Sequence, residues 1–245
     1  MDIFFELHRD VSREAPGDNA STHKAFTLLS NLPHRPLMLD VGCGPGEQTF
    51  VLAKSIGGHI IAVDTHQPFL ERLKRNAQKA AVLDKVSTLQ TSMFALPFGE
   101  QTFDAIWSEG AIYIIGFPEG LRIWRRLLKP RGYVAVSELA WLRSRPPTEA
   151  ASFWKVAYPG MRTREENLEI IRESGYRNVG HFVLTAESWW KNYYTPLETR
   201  IVSLREKYEG NVEVNRQLDE AQREIDLYRQ YADWYGYVFY VMQMA

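Results

Sequence analysis

Between residues 36 and 138 the chain alternates short apolar runs with longer amphipathic segments. In the amphipathic segments, apolar residues recur at spacings of three and four, which is the spacing of one face of a helix. Leu70, Leu73 and Ala77 are an example. The runs have the length and the β-branched content of buried strands. These five runs span residues 37–42, 59–64, 85–90, 103–108 and 132–138. Repeated strand–helix units of this kind predict an α/β protein with a parallel sheet covered by helices on both faces.

The pattern changes after Glu138. A capping box, Thr163-x-x-Glu166, predicts a helix that ends at Gly175. Two further apolar runs, at 176–185 and 235–244, predict a sixth and a seventh strand. Between them, apolar residues recur at spacings of four and three in a segment that carries charges of both signs, which favours a helical hairpin packed on the domain. These residues are Val214, Leu218, Ala221, Ile225 and Tyr228.

Composition excludes several classes of protein. The 245 residues include 29 Lys and Arg against 30 Asp and Glu, so the net charge of −1 gives no general attraction for nucleic acid. The one cysteine, Cys43, excludes a disulfide framework, and the histidines show no metal-ligand spacing. No apolar run is long enough to cross a bilayer, and acidic residues interrupt the amino terminus where a secretion signal would be apolar. We therefore expect a cytoplasmic protein with no metal, no nucleic-acid partner and no membrane partner.

The most informative segment is LDVGCGPGEQT, residues 39–49, in which a strand runs into a glycine-rich turn that opens a helix. Gly42, Gly44 and Gly46 permit positive φ and a close approach of the backbone to a ligand. A dinucleotide fingerprint would need G-x-G-x-x-G, and Glu47 stands at the position of its third glycine. The turn therefore predicts a nucleotide-like cofactor but matches NAD incompletely.

Two carboxylates refine this prediction. Asp40 enters the turn from the strand, where it would repel a pyrophosphate and attract a cofactor that carries an ammonium and a sulfonium. Asp64 ends the second strand, where a carboxylate can accept both hydroxyls of a ribose. Together they favour S-adenosylmethionine, although Asp64 alone would suit NAD equally well.

On these residues the chain resembles the class I S-adenosylmethionine-dependent methyltransferases, in the branch that includes quinone-pathway and other small-molecule enzymes. The segments SMFALPF (92–98), FDAIWSEGAIY (103–113) and LLKPRGYVAVSE (127–138) carry the resemblance further, and the aromatic-rich tail is similar to that of a bacterial subgroup. The resemblance implies a Rossmann-like, doubly wound, seven-stranded sheet with an antiparallel last strand and helical cap insertions. We expect one domain over residues 1–245, divided into an N-terminal helical segment and lid (1–35), a cofactor-binding core (36–140) and a C-terminal half (141–245) with a cap at about 186–232.

The resemblance also implies a set of cofactor-binding residues. The methionine part falls on the glycine turn, the ribose on the end of the second strand, and the adenine on SMFALPF, where Ser92 replaces the family's usual Asp. The residues of this set are Asp40, Gly42, Cys43, Gly44, Gly46, Asp64, Thr65, Ser92, Met93 and Ser108. Within it, Cys43 is better explained by packing than by a role as nucleophile.

The implied reaction is an in-line displacement on the methyl carbon, for which positioning and exclusion of water supply much of the acceleration and a base is optional. If a base exists, the resemblance places it among Glu109, Tyr113 and Glu138, at the carboxyl ends of the fourth and fifth strands. Glu109 is the first choice, because a carboxylate in a mostly apolar cleft would have a raised pKa. Ser108-Glu109-Gly110-Ala111 stands where the family's adenine and amide enzymes carry an Asn/Asp-Pro-Pro-aromatic tetrad, so we expect another small-molecule acceptor and S-adenosylhomocysteine as the product.

Two alternatives remain at this point: an NAD-dependent oxidoreductase, and a protein that binds S-adenosylmethionine without turnover. The sequence predicts no oligomeric state. It indicates a lid around residues 15–25, which are polar and contain Gly and Pro.

Overall fold

The computed structural model describes residues 3–9 and 11–245, and its centre is one mixed sheet. The strands are β1 (Leu37–Val41), β2 (His59–Asp64), β3 (Val86–Gln90), β4 (Phe103–Glu109), β5 (Leu128–Trp141), β6 (Arg162–Thr163), β7 (Tyr176–Val183) and β8 (Tyr235–Met244). Their order across the sheet is β3-β2-β1-β4-β5-β8-β7, with β6 lying off this path against the end of β5.

The first five strands pair in parallel, and β8 lies antiparallel between β5 and β7. The predicted α/β class and the antiparallel last strand are therefore confirmed. The strand order reverses between β1 and β4, and ligands of open parallel sheets bind where the carboxyl ends of the strands meet at such a reversal. This rule places the candidate site at the ends of β1 and β4.

The helices pack on both faces of the sheet and at its carboxyl edge. They are α1 (Ile3–Leu7), α2 (Asn19–Thr27), α3 (Glu47–Ser55), α4 (Gln67–Lys79), α5 (Phe117–Arg125), α6 (Thr148–Ala157), α7 (Arg164–Glu173), α8 (Ala186–Trp189), α9 (Thr195–Lys207) and α10 (Val212–Tyr231). Short 3₁₀ turns at Leu83–Lys85 and Ile112–Ile114 and a π-helical turn at Trp190–Tyr194 complete the elements.

Alternating residues of the central strands divide the core into two layers. In β4, Ala105 and Trp107 join the layer that contains α3, α4 and the C-terminal helices, whereas Ile106 joins the layer that contains α5. In β5, Ala135 and Val136 alternate in the same way. Because successive side chains of a strand point to opposite faces, this alternation buries both faces of the sheet, as the doubly wound prediction requires.

Local signals in the sequence are mostly reproduced. Thr163 and Glu166 form the predicted capping box, and Gly175 has a φ of +80° after the end of α7. The largest difference in a strand boundary is at β5, which begins at Leu128, four residues before the predicted start of the run at 132. The segment LKPRG contains Pro and Gly, which hid the strand, but its first residue pairs with Phe103 on the neighbouring strand.

Helices α8, α9 and α10 and the π-helical turn fill the region between β7 and β8. An ion pair of 2.5 Å joins Arg205 on α9 to Asp219 on α10 across the hairpin. Glu6 on α1 accepts a hydrogen bond of 2.7 Å from the Tyr208 hydroxyl and pairs with Lys207, so the C-terminal helices hold the N-terminal helix. Within the described ranges, no helix combines the length and the apolar character that crossing a membrane requires.

Candidate functional site

The glycine turn follows β1 and is fixed against β2. The backbone N–H groups of Gly42 and Cys43 both donate to the Val63 carbonyl, at 2.9 and 3.0 Å. Gly42, Gly44 and Gly46 all have positive φ. A Cβ atom on Gly42 would lie 2.5 Å from Cβ of Ala111, and one on Gly46 would lie 2.5 Å from Cγ of Leu73. Only glycine fits these two positions, because both the backbone conformation and the space exclude a side chain.

Asp64 lies beside the turn at the end of β2. Its two carboxylate oxygens accept hydrogen bonds of 2.9 Å from the backbone N–H groups of Gly44 and His66. A carboxylate offers about four lone-pair directions, so Asp64 can accept two further donors. Thr65, next in the chain, is exposed.

Asp40 lies beneath the turn and is fully buried. It accepts a hydrogen bond of 2.6 Å from the Thr49 hydroxyl and one of 3.5 Å from the Gln48 amide, which also donates to the Cys43 carbonyl at 3.0 Å. Burial raises the pKa of Asp40 to about 7 against the opposing effect of the Thr49 hydrogen bond. Asp40 therefore positions the turn from behind, through Thr49 and Gln48, and does not line the cavity in front of it.

That cavity, which we call the loop cavity, has a volume of about 250 Å³. Residues 42–45 of the glycine turn and residues 64–66 form part of its wall, Gly110 and Ala111 after β4 form another part, and residues 13–16 of the N-terminal segment cover it. The cavity thus lies at the carboxyl edge of the sheet, where the strand order places a ligand.

An ion pair fixes the N-terminal segment over the loop cavity. Nη1 of Arg13 lies 2.7 Å from Oε2 of Glu109 at the end of β4, and each side chain is 6% exposed. The other oxygen of Glu109 accepts hydrogen bonds from the Thr22 hydroxyl at 2.7 Å and from Nε1 of Trp107 at 2.9 Å. The prediction placed Glu109 in a mostly apolar cleft, and the structure adds a guanidinium, from a segment 96 residues away, that pairs with its carboxylate. Glu109 serves here as an anchor.

Glu14, the neighbour of Arg13, is the residue of the cavity that sequence reasoning missed. Both of its carboxylate oxygens are buried and have no hydrogen-bond partner among the described residues. Its side chain lies over the turn, where its Cγ would be 3.3 Å from a Cβ on Gly44. Burial raises the pKa of Glu14 to about 8, although the positive charge of Arg72 opposes the shift. No local motif marks this residue, because its environment is made by chain segments distant in sequence.

A second cavity, of about 220 Å³, adjoins the first and shares Glu14, Ala15, Pro16, Gly110 and Tyr113 with it. We call it the aromatic cavity, because rings make up much of its wall. The rings belong to Phe4, Tyr113, Trp154, Tyr158, Trp189, Tyr193 and Tyr237. Glu14 and Glu224 also line it, and the remaining lining residues within the described ranges include no Lys, Arg or His.

The two other candidate catalytic residues lie near the aromatic cavity. Tyr113 lines both cavities, and burial raises the pKa of its hydroxyl. Glu138 on β5 is 2% exposed and accepts a hydrogen bond of 2.6 Å from the Tyr158 hydroxyl, one of the groups in the cavity wall. Burial raises the pKa of Glu138 to about 8, against the opposing hydrogen bond from Tyr158. The structure thus places Tyr113 in the same cavity wall as the glycine turn, whereas Glu138 reaches the aromatic cavity through Tyr158.

Four predicted residues remain, and of these Cys43 lines the loop cavity, whereas Ser92, Met93 and Ser108 do not. Cys43 is buried, and burial raises the pKa of its thiol well above the ordinary value, which suits a packing role. Met93 is buried near Gly42, with its Cε 3.7 Å from the position of a Cβ there. Ser92 accepts a hydrogen bond of 3.3 Å from the Phe94 amide, and Ser108 is fully buried in β4. Within the described ranges no cluster of three or more His, Cys, Asp or Glu side chains could hold a metal ion.

Comparison with known proteins agrees with this geometry. Residues 38–132 match the family model described as a methyltransferase domain. A sterol 24-C-methyltransferase of Gibberella zeae is 30% identical over 128 residues, which are 51% of this chain and 33% of that protein. A phosphoethanolamine N-methyltransferase of Triticum aestivum is 27% identical over 161 residues, 64% of this chain and 31% of that protein. The chain thus covers about a third of the length of these two relatives.

Two solved structures share the fold over the whole chain. The S-adenosylmethionine-dependent methyltransferase of Geobacter sulfurreducens, crystallised with S-adenosylhomocysteine, is 20% identical, has a TM-score of 0.85 and is matched over 100% of this chain and 98% of its own. The corresponding enzyme of Thiobacillus denitrificans, also with S-adenosylhomocysteine, is 20% identical with a TM-score of 0.84, and the match covers 100% and 99% of the two chains. The predicted Rossmann-like methyltransferase fold is therefore confirmed, and so is the resemblance to S-adenosylmethionine-dependent methyltransferases, whereas the branch within them stays a prediction.

Proposed function

We propose that this protein, whose residues 38–132 match a methyltransferase-domain model, transfers a methyl group from S-adenosylmethionine to a small-molecule acceptor. The cofactor, when bound, supplies an electrophilic methyl carbon on a sulfonium. The loop cavity would hold the cofactor, and the adjoining aromatic cavity would hold the acceptor. As one domain, the chain would divide these tasks between the core at 36–140 and the N-terminal and C-terminal segments that cover it.

The residues of the loop cavity suit such a cofactor. Gly42 and Gly44 let the backbone approach the methionine part, and the free lone pairs of Asp64 can accept the ribose hydroxyls. Ser92 and Met93 would lie toward the adenine. Asp40 and Ser108 would act from behind, by holding the turn and the end of β4 in place.

One observation carries the choice of cofactor: the Glu14 carboxylate is buried over the glycine turn without a partner. A pyrophosphate would add negative charge beside Asp64 and keep Glu14 protonated, whereas a sulfonium and an ammonium would favour the ionised form of Glu14 and pair with both carboxylates. This arrangement favours S-adenosylmethionine over NAD.

The chain would accelerate the reaction mainly by positioning and by excluding water. The Arg13–Glu109 pair holds residues 13–16 over the loop cavity, so the same segment acts as a lid and as the boundary with the acceptor. Tyr113 would contact the acceptor from the shared wall. At a pH above about 8, where Glu138 is ionised, the Tyr158 hydroxyl would pass a proton from the acceptor to Glu138.

The composition of the chain bears on its location and on its partner. A single cysteine and a net charge of −1 support a reducing, cytoplasmic location and a small-molecule partner rather than nucleic acid. The relatives named above act on a sterol and on phosphoethanolamine, so the relationship leaves the acceptor atom open.

The proposal is tested by turnover. The purified protein is incubated with S-adenosylmethionine and a panel of small alcohols, phenols, amines and activated carbon acids, and S-adenosylhomocysteine is quantified by mass spectrometry. We expect product that depends on an acceptor, lost in Gly42→Ala, whose Cβ would meet Ala111, and retained in Gly210→Ala, which has open space around it. Binding of the cofactor without product from any acceptor would support a non-catalytic protein, and reduction of NAD would support an oxidoreductase.

A further inference from the structure

The aromatic cavity has the composition of a site for a cation. Seven rings and two carboxylates line it, and no basic side chain balances the carboxylates among its described lining residues. Faces of Trp and Tyr attract cations through their quadrupole, most strongly where water is excluded. Trp154 and Trp189 are both buried, so the ring surface they present is largely shielded from solvent.

The carboxylates of the cavity are short of positive partners. Glu224 accepts a hydrogen bond of 2.9 Å from the Tyr194 hydroxyl, and burial raises the pKa of this carboxyl. Glu14 has neither oxygen paired, as described above. The positive charge of Arg162 lowers the pKa of Glu138, but Arg162 does not line the cavity. A buried carboxyl group without a countercharge holds its proton, and a cationic ligand beside it would favour the ionised form and pair with it.

Resting on the proposed function, we propose that the acceptor is a small amine and that the aromatic cavity binds it and its methylated product as cations, between the rings and the carboxylates of Glu14 and Glu224. The bound ammonium first releases one proton, to water or, where Glu138 is ionised, through the Tyr158 hydroxyl to Glu138, and this frees the nitrogen lone pair. The lone pair forms the bond to the methyl carbon, the carbon–sulfur bond breaks with its electrons left on sulfur, and the positive charge passes from sulfur to nitrogen, so the product is again a cation. The positive charge on the product nitrogen therefore lies among aromatic rings and carboxylates, which favour a cation.

The cavity also disfavours other acceptors. A phosphate or carboxylate group would meet Glu14 and Glu224 with no Lys, Arg or His in the described wall to compensate. The volume of about 220 Å³ is below the usual range of about 300–1,000 Å³ for sites of drug-sized ligands, so the amine is small.

The experiment compares choline with 3,3-dimethylbutan-1-ol, a probe of the same shape in which carbon replaces the charged nitrogen. Both probes, and butyrate as a small anion, are titrated into the full chain saturated with S-adenosylhomocysteine, with tryptophan fluorescence and calorimetry as readouts. We expect choline to bind at least tenfold more tightly than the uncharged probe. Equal binding, or tighter binding of butyrate than of choline, would overturn the amine assignment whether or not any variant folds.

Matched variants locate the effect. Glu224→Gln keeps the hydrogen bond from Tyr194 but removes the charge, and we expect it to weaken choline binding about tenfold while leaving S-adenosylhomocysteine affinity unchanged. Glu220→Gln, on the exposed side of the same helix, is the control and should leave both affinities unchanged. Unchanged choline binding in Glu224→Gln would overturn the assignment of the cavity. Failure of S-adenosylhomocysteine to bind would refute the proposed function instead, so the two outcomes are distinguishable.

Discussion

The loop cavity and the aromatic cavity share one wall but are assembled in different ways. A single stretch, residues 40–66, supplies the glycine turn, its supporting carboxylate Asp40 and the carboxylate Asp64. The aromatic cavity takes its wall from the N-terminal segment, β5, α6, the residues after α8, α10 and β8. The first is therefore a local motif whose chemistry can be inferred from spacing, and the second exists only once the chain has folded.

The Arg13–Glu109 pair holds the N-terminal segment that separates the two cavities, so its removal should have the largest effect. Arg13→Met leaves a buried carboxylate unpaired, and we expect it to lower the free energy of unfolding by about 3–5 kcal/mol. Urea denaturation measures this loss. Arg122→Met, which breaks an exposed pair with Glu119, should change stability by less than about 1 kcal/mol.

A double variant tests whether Arg13 and Glu109 stabilise the protein as a pair. Arg13→Met combined with Glu109→Leu removes both charges, so its loss of stability should be smaller than the sum of the two single losses. Additive losses would mean that the pair does not hold the segment.

The glycine turn should tolerate no side chain, in contrast to a glycine whose surroundings are open. Gly46→Ala places a Cβ 2.5 Å from Leu73 at a φ of +96°, and we expect a loss of about 2–4 kcal/mol. Gly210 has a φ of +76° with no described atom within 4 Å of its Cβ position, so Gly210→Ala should lose only about 1 kcal/mol. Equal losses in thermal or urea unfolding would show that the packing against Leu73 is unimportant.

The buried carboxyl at the shared wall makes stability depend on pH. The pKa of Glu14 rises from 4.5 to about 8 on folding. Below 4.5 both states hold the proton; between 4.5 and 8 the unfolded chain releases it and the folded chain does not, so stability falls as pH rises through this window. Asp40 and Glu138 act in the same direction.

Glu14→Gln removes one of these contributions. We expect the variant to gain about 1–3 kcal/mol relative to the wild type between about pH 5 and about pH 9, after allowance for screening at the mouth of the cleft. Urea unfolding across that range measures the gain. An unaltered pH profile, identical to that of the exposed control Glu220→Gln, would show that Glu14 is not buried in its acidic form.

Features set by local sequence could be predicted, whereas contacts between distant segments could not. The strands, the capping box at Thr163 and the glycine turn are set by local periodicity and by backbone conformation, so they could be predicted. The partner of Glu109 could not, because Arg13 lies 96 residues away and no spacing rule joins the two. The crowding of aromatic residues in the second half was visible, but their meeting with Glu14 and Glu224 depends on how the C-terminal helices pack on the N-terminal segment.

The most direct test of the central claim is isothermal titration of S-adenosylmethionine, S-adenosylhomocysteine and NAD into the wild type and into Asp64→Ala. We expect the first two to bind in the micromolar range and NAD not to bind. Because Asp64 fixes the turn through Gly44 and would accept the ribose hydroxyls, its loss should weaken binding about 100-fold, the equivalent of about 2.7 kcal/mol. Binding of NAD alone, or affinities that do not change in Asp64→Ala, would contradict the assignment of the loop cavity to S-adenosylmethionine.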